Sequence, residues 1–186
     1  MLTIRENYEA IIEVNRSKFI ATLVPMSAFD GLPKRLKTAH PKSSHVVYAY
    51  RHLNTHDQIV ENSSDDGEPR GAAGTPILNV LRGEEAIECA VVIVRYFGGI
   101  KLGIGGMVRA YTLAAQKVIR EADWHAYFKP ITYAFESTYR DIQRTEYHLA
   151  QSGITQFERT FVAEGVRWSL SGSEDQIRHF CSLSNR

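Results

Sequence analysis

The stretch from Arg95 to Arg109 reads RYFGGIKLGIGGMVR and joins an apolar run to an amphipathic one. Five of the nine residues from Gly98 to Gly106 are glycine. Glycine loses more backbone entropy on folding than any other residue, so this cluster indicates a tight bend or a close approach of the main chain to another group. The stretch therefore predicts the end of a strand, a glycine turn and the start of a helix.

The residues on either side of this turn support that prediction. Residues 87–96 are nearly all apolar and β-branched through the middle, which is typical of a central strand covered on both faces. From Gly105 to Ala122 the apolar residues follow a helical period. Earlier in the chain, alternation predicts strands at 8–14, 18–25 and 45–52, the first two joined by a hairpin turn.

Two helices are predicted between these strands, with a loop between them. Ser27 and Asp30 resemble a capping box ahead of a helix that ends near Ala39. Thr75 followed by Pro76 is typical of an N-cap and first helical position, and predicts a short helix. Residues 53–71 are polar and acidic without periodicity, so they are predicted to form a loop.

After residue 130 the pattern starts again as strand, helix, two strands and helix. The strands are predicted at 131–138, 154–163 and 165–171, and the helices from Ile142 and Ser173. This βαββα order is one strand short of a ferredoxin-like unit. We predict an α/β (α+β) protein with one domain at 1–130 and a smaller domain at 131–186.

The composition is that of an ordinary globular protein of 186 residues, 44% hydrophobic and 23% charged. A net charge of +1 excludes a general attraction to nucleic acid or membrane, so any nucleic-acid contact must be a local patch. Cys89 and Cys181 are too few and too far apart for a disulfide framework. We therefore expect a cytoplasmic protein, with no apolar run near the ~20 residues that span a bilayer.

The glycine turn has the composition of an anion-binding site. Main-chain N–H groups at a helix start attract anions, and three cations, Arg95, Lys101 and Arg109, lie within fifteen residues. The turn matches neither the dinucleotide fingerprint nor a Walker A loop. Glycines at such a corner can also serve packing alone. The predicted anion or nucleic-acid site comprises Arg95, Gly98, Gly99, Lys101, Gly103, Gly105, Gly106 and Arg109.

Three carboxylates, Asp65, Asp66 and Glu68, form an acidic loop that we expect near this site. They could pair with its cations, form a turn, or hold magnesium together with a phosphate. His45 and Tyr96 are further candidates for the site. Tyr96 and Phe97 could stack on a nucleic-acid base, although aromatic residues at the end of a strand are more often part of the core. No Ser, Cys or Lys has the neighbouring general base and orienting group that would activate it as a nucleophile. The sequence therefore predicts no catalytic residue, metal or cofactor.

The chain resembles the IMPACT/YigZ family in two long motifs. The first runs from Ser64 to Pro69 and continues at Gly71, Ala73, Gly74 and Pro76. The second comprises Val94 to Gly99, Lys101 to Gly103, Gly105, Gly106 and Val108 to Tyr111; residues 17–20, His45 and 48–50 also match.

This resemblance implies a first domain of the ribosomal-protein and GHMP-kinase type and a second, ferredoxin-like domain of the kind that ends elongation factor G. Eukaryotic relatives modulate translational control by binding a large activator of a translation-factor kinase. For bacterial relatives, nucleic-acid or ribosome association is the usual suggestion. Arg70 and Ala72 depart from the family pattern, and bacterial relatives usually continue into a final strand beyond the βαββα order.

Three functional hypotheses follow. The first is a non-enzymatic, translation-associated protein that binds RNA or ribosome phosphates, or an acidic partner, through the glycine turn. The second is a magnesium-assisted enzyme acting on a phosphorylated small molecule. The third is an adaptor that docks a translation-related protein through a sheet edge or an apolar patch.

Overall fold

The structure is a computed structural model that describes residues 1–184. Its strands are β1 (Leu2–Thr3), β2 (Tyr8–Val14), β3 (Ser17–Pro25), β4 (His45–Leu53), β5 (Ile59–Ser64), β6 (Cys89–Tyr96), β7 (His125–Ala126), β8 (Ile131–Ser137), β9 (Gln156–Val162) and β10 (Gly165–Gly172). Its helices are α1 (Met26–Phe29), α2 (Leu32–Ala39), α3 (Gly74–Gly83), α4 (Gly103–Arg120), α5 (Ile142–Gln151) and α6 (Glu174–Ser184). The chain folds into two compact units, the first from Met1 to Tyr127 and the second from Phe128 onward.

The first unit is built on a five-stranded antiparallel sheet in the order β2-β3-β6-β4-β5. The apolar run of β6 lies at its centre and is buried from Cys89 to Arg95. Helices α3 and α4 share a core with one face of the sheet, to which Val91 and Ile93 belong. Residues from α1 and α2 pack on the other face, around Val92 and Val94. Both faces of β6 are therefore covered, as the continuous apolar pattern predicted.

The loop prediction for residues 53–71 is wrong in part, because Ile59–Ser64 forms strand β5. It pairs with β4 in a hairpin, with Leu53 opposite Ile59. Asn54 holds the turn, since its Oδ1 accepts the main-chain N–H groups of His56 and Gln58 at 2.9 and 3.0 Å. An edge strand bonds on one side only and can be polar, so β5 carried no apolar alternation.

Two of the predicted helix starts are also corrected. The Ser27–Asp30 capping box does not form; α1 ends at Phe29, and α2 starts after Gly31, which has a left-handed φ of +66°. Thr75 does not cap α3, which begins at Gly74 without a side-chain cap from its own N-cap residue. By contrast, Ser173 does form the reciprocal pattern: its Oγ accepts the Gln176 N–H, and its N–H donates to the Gln176 side chain.

The second unit is a three-stranded antiparallel sheet in the order β8-β10-β9, joined to α5 and α6 by a small apolar core. Trp168 is fully buried at its centre and stacks on Phe135 at 6.1 Å between ring centroids. The observed βαββα order is the one predicted from sequence, and the protein is of the mixed α/β class. The assignment of this unit to the elongation-factor-G type stays a prediction. Within residues 1–184 no helix combines the length and apolar character needed to cross a membrane.

Candidate anion-binding site

The glycine turn lies between the end of β6 and the start of α4, and its first part is tied to the rest of the sheet. Phe97 N–H donates to Ser44 Oγ at 3.3 Å, and Gly98 N–H donates to Ser17 Oγ at 3.2 Å. A Cβ at Gly98 would lie 2.0 Å from the main-chain carbon of Arg16. Gly98 is therefore required for packing, and its N–H is not available to a ligand.

The rest of the turn is open to solvent. The residues from Gly99 to Lys101 and from Gly103 to Gly105 are exposed. Within the described chain, the main-chain N–H groups of these six residues have no hydrogen-bond acceptor. Gly99 and Gly103 have φ of +85° and +68°, which L-residues rarely adopt, and a Cβ at either would meet nothing within 4 Å. Gly99 and Gly103 therefore shape an exposed bend, whose main-chain N–H groups remain free to bind an anion.

Two of the three predicted cations lie at this open bend. Lys101 and Arg109 are exposed, and neither forms an ion pair with another described residue. An Nη atom of Arg109 lies 3.7 Å from the position that a Cβ on Gly105 would occupy. The guanidinium thus folds back over the first turn of α4, where the helix dipole and the free N–H groups already favour negative charge.

Arg16, which is not among the predicted site residues, is also next to the turn through its main chain. Its main chain packs against Gly98, and its side chain is exposed. Arg16 lies in the hairpin turn between β2 and β3, and the pairing of Lys18 with Tyr96 brings that turn to the end of β6. The proximity of Arg16 to the glycine turn follows from the strand register, which could not be predicted from the sequence.

Arg95, by contrast, is not part of the open site. It is 5% exposed and forms a buried ion pair with Glu68. Its Nη1 lies 3.5 Å from Met107 Sδ, and its Cζ lies 5.5 Å from the centroid of the Phe19 ring. The prediction that Arg95 faces an external anion is therefore corrected: its charge is neutralised inside the first unit.

Glu68 is the centre of this buried cluster. Tyr111 donates its hydroxyl to Glu68 Oε1 at 2.7 Å, and His45 Nε2 lies 3.8 Å from Glu68 Oε2. Burial, followed by the adjacent carboxylate, raises the pKa of Tyr111, so the phenol stays protonated and acts as a donor. The acidic loop thus meets Arg95 but pairs with neither Lys101 nor Arg109 among the described residues.

Asp66 attaches the acidic loop to β4 and α2. Its Oδ2 accepts the Val46 N–H at 2.6 Å and lies 3.3 Å from Lys37 Nζ. The Asp66 carbonyl oxygen is 2.7 Å from His45 Nδ1. From the first position of β4, His45 therefore contacts both Asp66 and Glu68 of the acidic loop. Tyr96, the other further candidate, bonds to His40 Nδ1 at 2.8 Å on the opposite face of the sheet.

Asp65 caps α3 from nine residues away. Its Oδ1 accepts the N–H groups of Ala73 and Gly74 at 3.1 and 2.8 Å, and its Oδ2 accepts that of Gly71 at 2.8 Å. Burial would raise the pKa of Asp65, but these three donors outweigh it and the pKa is lowered. Both carboxylate oxygens are therefore committed to the main chain. Within residues 1–184, no three His, Cys, Asp or Glu side chains are grouped to hold a metal ion.

Replacing Asp65 with asparagine is expected to lower the free energy of unfolding by about 1–2 kcal/mol at neutral pH, because the charged cap of α3 is lost. Since the folded-state pKa of Asp65 is lowered, its stabilisation is present above the unfolded pKa and is lost as pH falls through the folded pKa. Urea unfolding at a series of pH values measures this. The difference between variant and native protein should shrink in acid. Asp30→Asn, an exposed control, should change the free energy of unfolding by no more than about 0.5 kcal/mol. A pH-independent difference would contradict the capping role.

The residues of this site lie in a part of the chain that is similar to known proteins. The Impact N-terminal domain model matches residues 15–119, a range that contains the glycine turn, the buried cluster and the acidic loop. An IMPACT family member of Thermus thermophilus is 34% identical over 158 residues, which cover 84% of each chain. The Escherichia coli IMPACT family member YigZ is 32% identical over 142 residues, 75% of this chain and 70% of that one.

A solved structure also matches nearly the whole chain. It is a crystal structure described only as that of a hypothetical protein, with a TM-score of 0.67 and 26% identity. The match covers 99% of this chain and 91% of the solved one, so the two proteins share their fold across both units.

Proposed function

The chain belongs to the IMPACT family, and we propose that it is a non-enzymatic binding protein associated with translation, whose open glycine turn holds the phosphates of RNA. The translational role is supported by the family resemblance. The choice of RNA phosphate as the ligand is supported by the geometry and charge of the turn.

The observation that carries the proposal is the group of free donors at one bend. The main-chain N–H groups of six exposed residues lack an acceptor in the described chain; three of these residues precede the 18-residue helix α4 and three form its first turn. Lys101 and Arg109 add two positive charges there without a carboxylate partner among residues 1–184. Phosphate oxygens satisfy both kinds of donor, since N–H groups and cations supply most protein contacts to nucleic-acid backbones.

The affinity for RNA is expected to fall steeply with salt concentration, and less steeply when the two cations of the turn are removed. Each cation that neutralises a phosphate of a single strand contributes about 0.7 to the slope of log K against log salt. Lys101→Ala combined with Arg109→Ala should therefore reduce that slope by about 1.4 and weaken binding about tenfold at low salt. Fluorescence anisotropy of labelled RNA at several salt concentrations measures both quantities.

A charge-matched control separates the site from the protein's overall charge. Arg5 and Arg120 are exposed and carry no ion pair with another described residue. Arg5 precedes β2, whose opposite end faces the hairpin turn, and Arg120 ends α4 roughly 16 Å from Arg109 at 1.5 Å per residue. Arg5→Ala with Arg120→Ala should leave the slope unchanged. The absence of RNA binding at low salt, or equal slopes for the two double variants, would overturn the proposal.

The magnesium-enzyme hypothesis finds no support in the acidic loop. Asp65 bonds three main-chain N–H groups, Asp66 bonds Val46 and Lys37, and Glu68 pairs with buried Arg95. A thermal-shift screen of nucleotides with and without magnesium distinguishes the two functions, because a bound ligand raises the melting temperature by mass action. A magnesium-dependent rise with a nucleotide would favour the enzyme.

A further inference from the structure

Phe97 is an exposed aromatic residue held in place at the edge of the glycine turn. Its side chain is 50% exposed, although it directly follows the buried strand β6. Hydrogen bonds from its own N–H to Ser44 and from the next N–H to Ser17 fix the main chain on both sides. The main chain that carries the exposed ring is therefore anchored to the sheet.

The surroundings of Phe97 place it beside the open amides. Arg95 Cζ lies 6.0 Å from the centroid of the Phe97 ring, so both side chains lie on the α4 side of the sheet. Arg95 also contacts Met107 of α4. Ile104 lies three residues before Met107 and shares its face of the helix, and it is 64% exposed. Phe97 and Ile104 are thus two exposed apolar side chains on either side of the turn, one after β6 and one in the first turn of α4.

We propose that Phe97 is a base-stacking platform and that the turn takes single-stranded RNA. This inference rests on the proposed function, since the phosphates would be held by the neighbouring amides, Lys101 and Arg109. Bases of a duplex are stacked inside the helix, whereas those of a single strand can lie on an aromatic ring while the backbone follows a cationic groove. Arg95 contacts the Phe97 ring through a cation–π interaction, at 6.0 Å from its Cζ to the ring centroid.

The test compares two oligomers of equal charge: a labelled uridine RNA and an abasic oligomer of the same length and sugar-phosphate backbone. The native protein should bind the base-bearing strand about tenfold more tightly, a gain that one stacked base supplies. Phe97→Ala should remove this preference without changing the salt slope, and Phe97→Trp should retain it. Phe161→Ala is the matched control, because Phe161 is 58% exposed and lies in the second unit.

The two proposals fail in different ways. If the native protein binds both oligomers equally, or if Phe97→Ala keeps the preference, stacking on Phe97 is wrong while phosphate binding stands. If Lys101→Ala with Arg109→Ala binds both oligomers as tightly as native protein, the phosphate site itself is wrong. A preference lost in Phe97→Ala and kept in Phe97→Trp and Phe161→Ala supports the inference.

Discussion

Replacing Glu68 with glutamine is expected to lower the free energy of unfolding by roughly 3–5 kcal/mol, the cost of breaking a buried ion pair by removing one partner. The carboxylate is 3% exposed and the Arg95 guanidinium 6%, so the substitution leaves a positive charge in the core without compensation. Tyr111 would also lose an ionised acceptor. Urea unfolding followed by circular dichroism measures the loss.

Two further variants establish that the effect comes from burial of the pair. Glu121→Gln removes an exposed carboxylate that pairs with Lys117, and should cost no more than about 0.5 kcal/mol. Glu68→Gln combined with Arg95→Met should recover part of the lost stability, because the unpaired charge is gone. If Glu68→Gln unfolds at the same urea concentration as the native protein, the buried pair does not stabilise the fold.

Replacing Gly98 with alanine is expected to cost about 3 kcal/mol or more, at the upper end of overpacking effects. The added Cβ would lie 2.0 Å from the Arg16 carbonyl carbon and 2.4 Å from Ser17 N. These are main-chain atoms of a paired hairpin, so they cannot rotate away as a flexible side chain would. Thermal and urea unfolding of the purified variant measure the effect, and the Gly98–Ser17 hydrogen bond should be lost with it.

Gly83→Ala is the matched control for this variant. Gly83 ends α3, and an added Cβ there would meet nothing within 4 Å. Alanine is favoured over glycine in helices, so this variant should be as stable as the native protein or up to about 1 kcal/mol more stable. If Gly98→Ala behaved like Gly83→Ala, the close approach of the hairpin turn to β6 would be contradicted.

The central strands and helices could be predicted because burial leaves a periodic signal. The continuous apolar run of β6 indicated a strand covered on both faces, and the repeat in α4 indicated a helix with one buried face. Strand β5 had no such signal, because it is a polar edge strand defined by pairing with β4. The sequence also did not reveal that Asp65 caps a helix nine residues away, since capping patterns are local.

The sequence predicted which residues lie in and around the glycine turn, but not which of them are buried and which are exposed. Charged residues are usually at the surface, so nothing in the pattern indicated that Arg95 and Glu68 pair inside the core. The glycines likewise look alike in sequence, although Gly98 is required for close packing while Gly99 and Gly103 shape an exposed bend. Only the three-dimensional structure distinguishes a glycine required for close packing from a glycine required for a positive φ.

The most direct test of the phosphate-binding turn is a titration of isotopically labelled protein with single-stranded RNA, followed through the backbone amide resonances. The largest shifts are expected at Gly99 to Lys101 and Gly103 to Gly105, whose N–H groups have no acceptor in the described chain. Smaller shifts are expected at Gly98, whose N–H is already bonded to Ser17. Shifts centred on the acidic loop or on the second unit, with the turn unmoved at saturation, would contradict phosphate binding at the turn.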